Sequence, residues 1–348
     1  MQVLREDGSS DPSHDPRLPE ERLVGLYRDM LRAREIAALD AAGSGDDAAH
    51  PARPAASWRK PPALGEAVAV GAAAALRPQD WLFTPPGDVA GALVRGVPLA
   101  SIAHHAWGTA LDPSKGRDAP FHVASRAARV VSATIANGAH LTHAAGLAWG
   151  ARIRRDDVVA LALFDDRAVL AGEFHHGVNF AGVFKVPAVF VCAERADGED
   201  GEGVDLDAKG LAYGVPTARC DGADLLSVIR AVRDAVARAA AGEGPTMIAA
   251  RVAPRAGERA PAPAGRERPA APWDDPIVRV LRHLEARAGG AAGAEMRAAL
   301  AAVPAEVQAE VRAAAEEAKR APPPAASSLF DDVYASAPGA ARRPGALS

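Results

Sequence analysis

Cysteine is scarce in this chain: Cys192 and Cys220 are the only two in 348 residues. They cannot form a disulfide framework, and each closes an apolar run, where a buried reduced thiol is the usual state. A basic excess is also missing, since 40 Lys and Arg stand against 44 Asp and Glu for a net charge of -4. That balance excludes a general nucleic-acid binder, which needs a basic stripe to meet phosphates. No apolar run is long enough to span a bilayer, because the longest, Val68 to Leu76, is interrupted by Gly71 and falls far short of about 20 residues. The opening MQVLREDGSSDPSHDP carries no apolar signal core, so no membrane association and a cytoplasmic location are expected. Nucleophile elbow, Walker loop, dinucleotide fingerprint and HExxH are all absent, which sets those enzyme classes aside. Aromatics make up only 5%, whereas alanine is about a quarter of the chain. Such a composition predicts many helices packed closely through small side chains.

Along the chain, residues 1–18 are charged and Pro-rich and read as a mobile tail. Pro19 opens a helix whose Leu23, Leu26, Tyr27, Met30 and Leu31 form one apolar stripe ending near Ala42. Residues 43–62 have loop chemistry, and a second helix is predicted from Gly65 to Leu76. The Pro-Gly breaker in FTPPGD is followed by two short helical stretches, DVAGALVRG and PLASIAHHAWG. Apolar runs at 158–164, 186–192, 215–220 and 246–252 then alternate with helical text at 171–184, 207–213 and 222–240. Short apolar runs separated by helices are what parallel strands buried on both faces produce. The expected fold class is therefore α/β, a mainly parallel central sheet flanked by helices, occupying residues 19–252. Residues 253–273 are too polar and Pro-rich to fold and read as a flexible segment. A helical C-terminal region at 274–335 should hold helices from Asp275, over 291–302 and from Pro304 to about Arg320. Leu329, Phe330, Val333 and Tyr334 would pin its end to a surface, and 336–348 read as a disordered tail.

In a parallel sheet, ligands bind beyond the carboxyl ends of the strands. The first run there ends in Asp165, Asp166 and Arg167, and the next ends in Glu194 and Arg195. Around them stand LPEERLVGLYRDMLRAREI, GEAVAVGAAAALRPQDWLF, RGVPL, SKGR with Pro120 and His122, GEFHHGVNFAGVFKVPAVFVC, AYGVP and GEGPTMIAA. Together these motifs resemble the alpha subunit of the thiamine diphosphate-dependent decarboxylating component of 2-oxoacid dehydrogenase complexes, closest to the branched-chain type, and the resemblance covers nearly the whole chain, from Leu18 to Tyr334. The resemblance implies the thiamine diphosphate-binding fold with an N-terminal helix arm. It also implies a heterotetramer with a beta-type subunit, contact with a lipoyl acyltransferase core, and thiamine diphosphate with Mg²⁺ as cofactors.

The family holds that cofactor through a GDG-type motif after one strand and an Asn after the next. Glycines let backbone approach the diphosphate, while Asp and Asn oxygens complete the shell of Mg²⁺. In this chain the GDG position reads Asp165, Asp166, Arg167, and the Asn position falls on Arg195. A guanidinium has five donors and no acceptor, so it cannot ligate a metal. By the same resemblance, the Arg that grips the diphosphate aligns with Gly87, the histidine-bearing loop aligns near Glu258, and a Gln near the cofactor becomes His140. The candidate cofactor-binding residues are Asp165, Asp166, Arg167, Arg195, Lys115, Arg117 and His140, with Asp166 the metal ligand if Mg²⁺ binds, and no confident catalytic residue. Loss of Mg²⁺ removes two positive charges, which Arg167 and Arg195 restore. Either these guanidiniums pair with the aspartates and fill the pocket, the commoner role, or they hold a phosphate directly.

Other clusters have plainer explanations beside the sharper ones. His140 with His143, and Glu173 with His175 and His176, suggest a metal site, but satisfied helix histidines are commoner. His104 and His105 read as packing and surface. Lys115 and Arg117 suit an anion or a loop at a subunit contact. The acid-Gly run from Asp197 to Asp205 reads as a solvated loop, and Trp58, beside Ser57, Arg59 and Lys60, as an interface anchor or a buried ring. Three functions are thus expected in order: a cofactor-site-degenerate structural or regulatory paralogue of the alpha subunit; an active oxidative decarboxylase subunit that passes acyl groups to a lipoyl domain; or a binding module for another phosphorylated metabolite.

Overall fold

The strand text and the helix text settle into three layers. The computed structural model describes residues 1–42, 64–85, 87–118, 122–132, 138–195, 205–252, 275–288 and 292–332. Six strands form one all-parallel sheet: β1 (Trp81–Thr84), β2 (Val130–Ser132), β3 (Ala160–Asp165), β4 (Ala188–Arg195), β5 (Thr217–Asp221) and β6 (Thr246–Val252). Their order is β2-β1-β3-β4-β6-β5. The register pairs Phe164 with Cys192 and Asp165 with Ala193, so the β3 and β4 ends lie side by side.

Side chains on successive strand residues face opposite ways, and the burial pattern follows that period. Leu161, Leu163, Val189, Val191, Ile248 and Ala250 join one core, beneath helices α1 (Glu20–Ala42), α2 (Glu66–Ala75) and α8 (Leu225–Ala240). Ala160, Ala162, Phe164, Phe190, Cys192 and Met247 join the other, beneath α5 (Ala139–Arg154) and α6 (Gly172–Phe184). Runs apolar at every position are thus explained by helices on both faces. The alanine excess is explained too: α5 and α6 approach so closely that a Cβ on Gly177 would lie 3.0 Å from the Leu141 carbonyl.

Four of the six strands are those expected from the apolar runs; β1 and β2, with four and three residues, are too short to show a pattern. The short helices α3 (Ala90–Val94) and α4 (Leu99–Trp107) follow the Pro-Gly breaker as expected, and α7 (Leu206–Ala212) precedes β5. Helix α9 (Pro276–Arg287) is capped by Asp275, whose carboxylate accepts the Ile277 N–H. Two expected helices prove to be one, α10 (Ala292–Arg320), with Pro304 inside it. The buried stripe of Leu300, Val303, Val307, Val311 and Ala318 runs across the proline, and its packing outweighs the lost backbone hydrogen bond.

A second correction concerns residues 1–18, expected to be mobile. Val3 and Leu4 are buried, and their N–H groups donate to Asp224 Oδ2 at 2.6 and 2.7 Å. The Met1 ammonium donates to the Arg219 carbonyl at 3.0 Å, so the N-terminus lies along the open edge of β5. The expected loops at 43–62 and 197–205 lie outside the described residues except Asp205, which caps α7. Segments 253–273 and 336–348, and with them Glu258, also lie outside.

Candidate functional site

The carboxyl ends of β1, β3 and β4 meet at one rim of the sheet, and the sequence candidates from two of those strands gather there. Asp165 ends β3, and its carboxylate accepts the Ala168 N–H at 3.2 Å, capping the 3-10 turn at Asp166–Leu170. Arg167, half exposed, places its Nε 3.3 Å from Asp165 Oδ2. Asp166 turns inward. Its Oδ2 accepts the Arg195 backbone N–H at 3.2 Å and lies 3.8 Å from Arg195 Nε, while its buried Oδ1 accepts no hydrogen bond. Burial pushes the Asp166 carboxyl above its ordinary value, against the opposing pull of the Arg195 amide and charge. Each expected aspartate therefore faces an expected arginine, Asp165 within the β3 turn and Asp166 across to the end of β4.

The neighbouring ring is spent differently. His140, at the start of α5, is 1% exposed, and its Nε2 donates to the Leu163 carbonyl of β3 at 2.6 Å. Because that nitrogen must carry the proton, Nδ1 is a bare acceptor, and burial holds the imidazole below its usual pKa. His140 is thereby a buried strut between helix and strand, a position that the expectation of a cofactor contact did not foresee. His175 Nδ1 meets the Tyr213 hydroxyl at 2.5 Å, whereas His143 and His176 are exposed. Among the described residues, no group of three or more His, Cys, Asp or Glu is placed to hold a metal ion.

Gly87, aligned with the diphosphate-gripping Arg, sits at φ 87° just past β1 and offers no side chain. Beside it lies a residue that the sequence reading passed over. Asp88 is buried, its Oδ1 accepts the Ala90 N–H at 3.1 Å, and its Oδ2 accepts none. Burial raises its carboxyl to about 6 in spite of the Ala90 and Gly91 amides. Nothing in the FTPPGD text, which reads as a breaker, signals an inward-facing acid.

Lys115 and Arg117 belong to a loop built on Asp112, which accepts the Ser114 N–H at 3.0 Å and the Gly116 N–H at 2.8 Å and also holds His105 at 2.9 Å. His104 and His105 are both buried, the former bonded to Thr109 at 2.9 Å, so neither is a surface residue. The two cations carry the acids of the chain's own C-terminal turn, Asp331 and Asp332. Leu329, expected to pin that end, is instead 51% exposed, and Val333 and Tyr334 lie outside the described residues.

A family model for the dehydrogenase E1 component matches residues 56–327. The 2-oxoisovalerate dehydrogenase subunit alpha of Bacillus subtilis is 30% identical over 283 residues, which cover 78% of this chain and 84% of that one. The 3-methyl-2-oxobutanoate dehydrogenase subunit alpha of Mycobacterium tuberculosis is 31% identical over 264 residues, 72% of this chain and 66% of that one. A pyruvate dehydrogenase E1 component subunit alpha from Acholeplasma laidlawii is 30% identical over 249 residues, 68% of this chain and 66% of that one.

Proposed function

We propose, since this chain belongs to the dehydrogenase E1 component family and is alpha-subunit-like within it, that it keeps the alpha-subunit scaffold while its coenzyme site has been rebuilt. It then serves as a structural or regulatory subunit beside a beta-type partner. The observation that carries this reading is the Arg195 guanidinium, 3.8 Å from Asp166 where a metal-binding oxygen is needed.

Mg²⁺ demands a near-octahedral oxygen shell. The β3 and β4 ends offer it Asp166, with one oxygen already taken by a backbone N–H, and Asp165, whose carboxylate caps the following turn and faces Arg167. Opposite stands a permanent cation with no lone pair to give. Two positive charges a few ångströms apart in a half-buried site repel strongly. The donor set does not fit magnesium, and no reaction step is derived through it. At the β1 end, where the diphosphate needs a clamp, Gly87 supplies backbone and no cation.

The Arg195 guanidinium, 3.8 Å away, offsets part of the Asp166 charge and leaves its Oδ1 without a hydrogen bond; such a partial pairing is what a pocket that has lost its ion would keep, because a wholly unpaired buried charge is costly. Two buried free thiols, Cys192 and Cys220, accord with a reducing, cytoplasmic compartment. Among the described residues no helix is long and apolar enough to cross a membrane.

Calorimetric titration of the full chain with thiamine diphosphate, with and without Mg²⁺, alone and after co-expression with a beta-type subunit, tests the reading. No saturable heat is expected in any arm. Micromolar, Mg²⁺-dependent binding, or decarboxylation of 2-oxoisovalerate by the assembled pair, contradicts it and favours the active subunit.

A further inference from the structure

The final described residues fold back onto the loop that carries Lys115 and Arg117. The chain leaves α10 with Lys319 5.8 Å from the Trp107 ring centroid, and Pro322 accepts the Ala110 N–H at 2.8 Å. Pro324 then crosses Gly116, where a Cβ would lie 3.3 Å from the proline ring and 3.0 Å from the Gly108 carbonyl. Gly116 also sits at φ 68°, so both its conformation and this crossing require glycine. After the 3-10 turn at Ala326–Phe330, Asp331 and Asp332 reach the cations. Lys115 Nζ donates to Asp331 Oδ2 at 3.0 Å and to Asp332 Oδ2 at 2.8 Å. Arg117 donates to the Asp331 carbonyl and lies 3.3 Å from Asp332 Oδ2.

Two kinds of contact thus hold one strap. Its root is fixed by backbone and ring packing, whereas its tip is fixed by ion pairs whose acids are 53% and 71% exposed. Exposed pairs of this sort each multiply the closed population by no more than about fivefold and weaken as salt rises. Removing the tip would leave an ammonium and a guanidinium on one short loop shaped by Asp112, an arrangement suited to a multivalent oxyanion.

We infer that residues 322–332 form a releasable acidic strap, and that Asp331 and Asp332 act as an intramolecular competitor for an oxyanion site of the phosphate class made by Lys115 and Arg117. The inference does not depend on whether coenzyme binds at Asp166, since none of the residues concerned touches that pair.

The probe is inorganic pyrophosphate, titrated calorimetrically without metal into the full-length protein at low salt. The double variant D331N/D332N should bind it several-fold more tightly than the unaltered chain. A charge-matched control, E21Q/E295Q, should bind as the unaltered chain does, and adding K115Q/R117Q to the strap variant should abolish the gain. Equal affinity in the unaltered and strap-variant chains, or an equal gain in the control, overturns the inference. Hydrogen exchange of the unaltered chain gives a second reading that needs no variant. Amides of 326–332 should exchange several-fold faster as salt is raised toward 0.5 M, roughly a threefold shrinkage of the screening length from its low-salt value, while those of α8 stay unchanged. Salt-independent exchange of the tip overturns the inference as well.

Discussion

Replacing Asp88 by asparagine removes a charge that the fold holds at a disadvantage. The carboxyl is buried, with Oδ1 on the Ala90 N–H and Oδ2 accepting no hydrogen bond, and burial raises it from 3.8 to about 6 against the pull of the Ala90 and Gly91 amides. The folded state therefore holds the Asp88 proton more tightly than the unfolded chain does. Its contribution to stability is fully present below the unfolded value of 3.8 and is lost as pH climbs through about 6. A displacement of about two pH units corresponds to about 3 kcal/mol. Asparagine keeps the cap to Ala90 and cannot ionise. The stability difference between Asp88→Asn and the unaltered protein should therefore be near zero at the acid end. It should grow in favour of the variant by about 1–3 kcal/mol above pH 6, allowing for relaxation around the buried group. Urea unfolding of both proteins across that range measures the difference directly. A flat profile, or a variant less stable at neutral pH, would refute the reasoning, since it would mean that the carboxylate has a partner that stabilises its charge.

Three further outcomes follow from the same packing. Asp224 accepts N–H groups from Val3 and Leu4 as well as from Leu226 and Ser227, so Asp224→Ala should cost about 3 kcal/mol or more and release the first residues to rapid hydrogen exchange. A Cβ on Gly182 would fall 2.1 Å from the Tyr213 carbonyl. Gly182→Ala should therefore lower the unfolding temperature through a loss of at least about 2 kcal/mol, whereas Gly25→Ala, where nothing lies within 4 Å, should not. Pro304→Ala restores a hydrogen bond within the continuous α10 and should stabilise the protein by about 1–3 kcal/mol in the same assay.

What could be read from sequence tracks where the physics is local. Strands β3, β4, β5 and β6 announce themselves as apolar runs between helical stretches, most plainly β3 and β4, whose faces are both covered by helices. Strands β1 and β2 do not, being held by neighbours on the sheet and too brief to show a period. The N-terminal segment looks like a tail because its docking runs mostly through backbone groups and distant partners, such as Asp224, some 220 residues from Val3 and Leu4, and His283 on the Gly8 carbonyl. Pro304 signals a helix end by its own chemistry, and only a stripe extending to Ala318 overrides it. At the site, the aspartates and arginines could be located because ligand-facing residues follow strand ends in a parallel sheet. The roles of His140 and Lys115 could not. Where each side chain goes depends on partners far off in sequence, the Leu163 carbonyl for one and the acids Asp331 and Asp332 for the other.

The arginine facing Asp166 is the point on which the functional account turns, and exchanging it tests that most directly. Arg195→Asn gives back an oxygen donor beside Asp166 while removing the opposing cation. Calorimetric titration with thiamine diphosphate and Mg²⁺ should then show no binding to the unaltered chain and measurable, metal-dependent binding to the variant, assayed with a beta-type partner present. Tight, Mg²⁺-dependent binding to the unaltered chain that Arg195→Asn leaves unchanged would contradict the account.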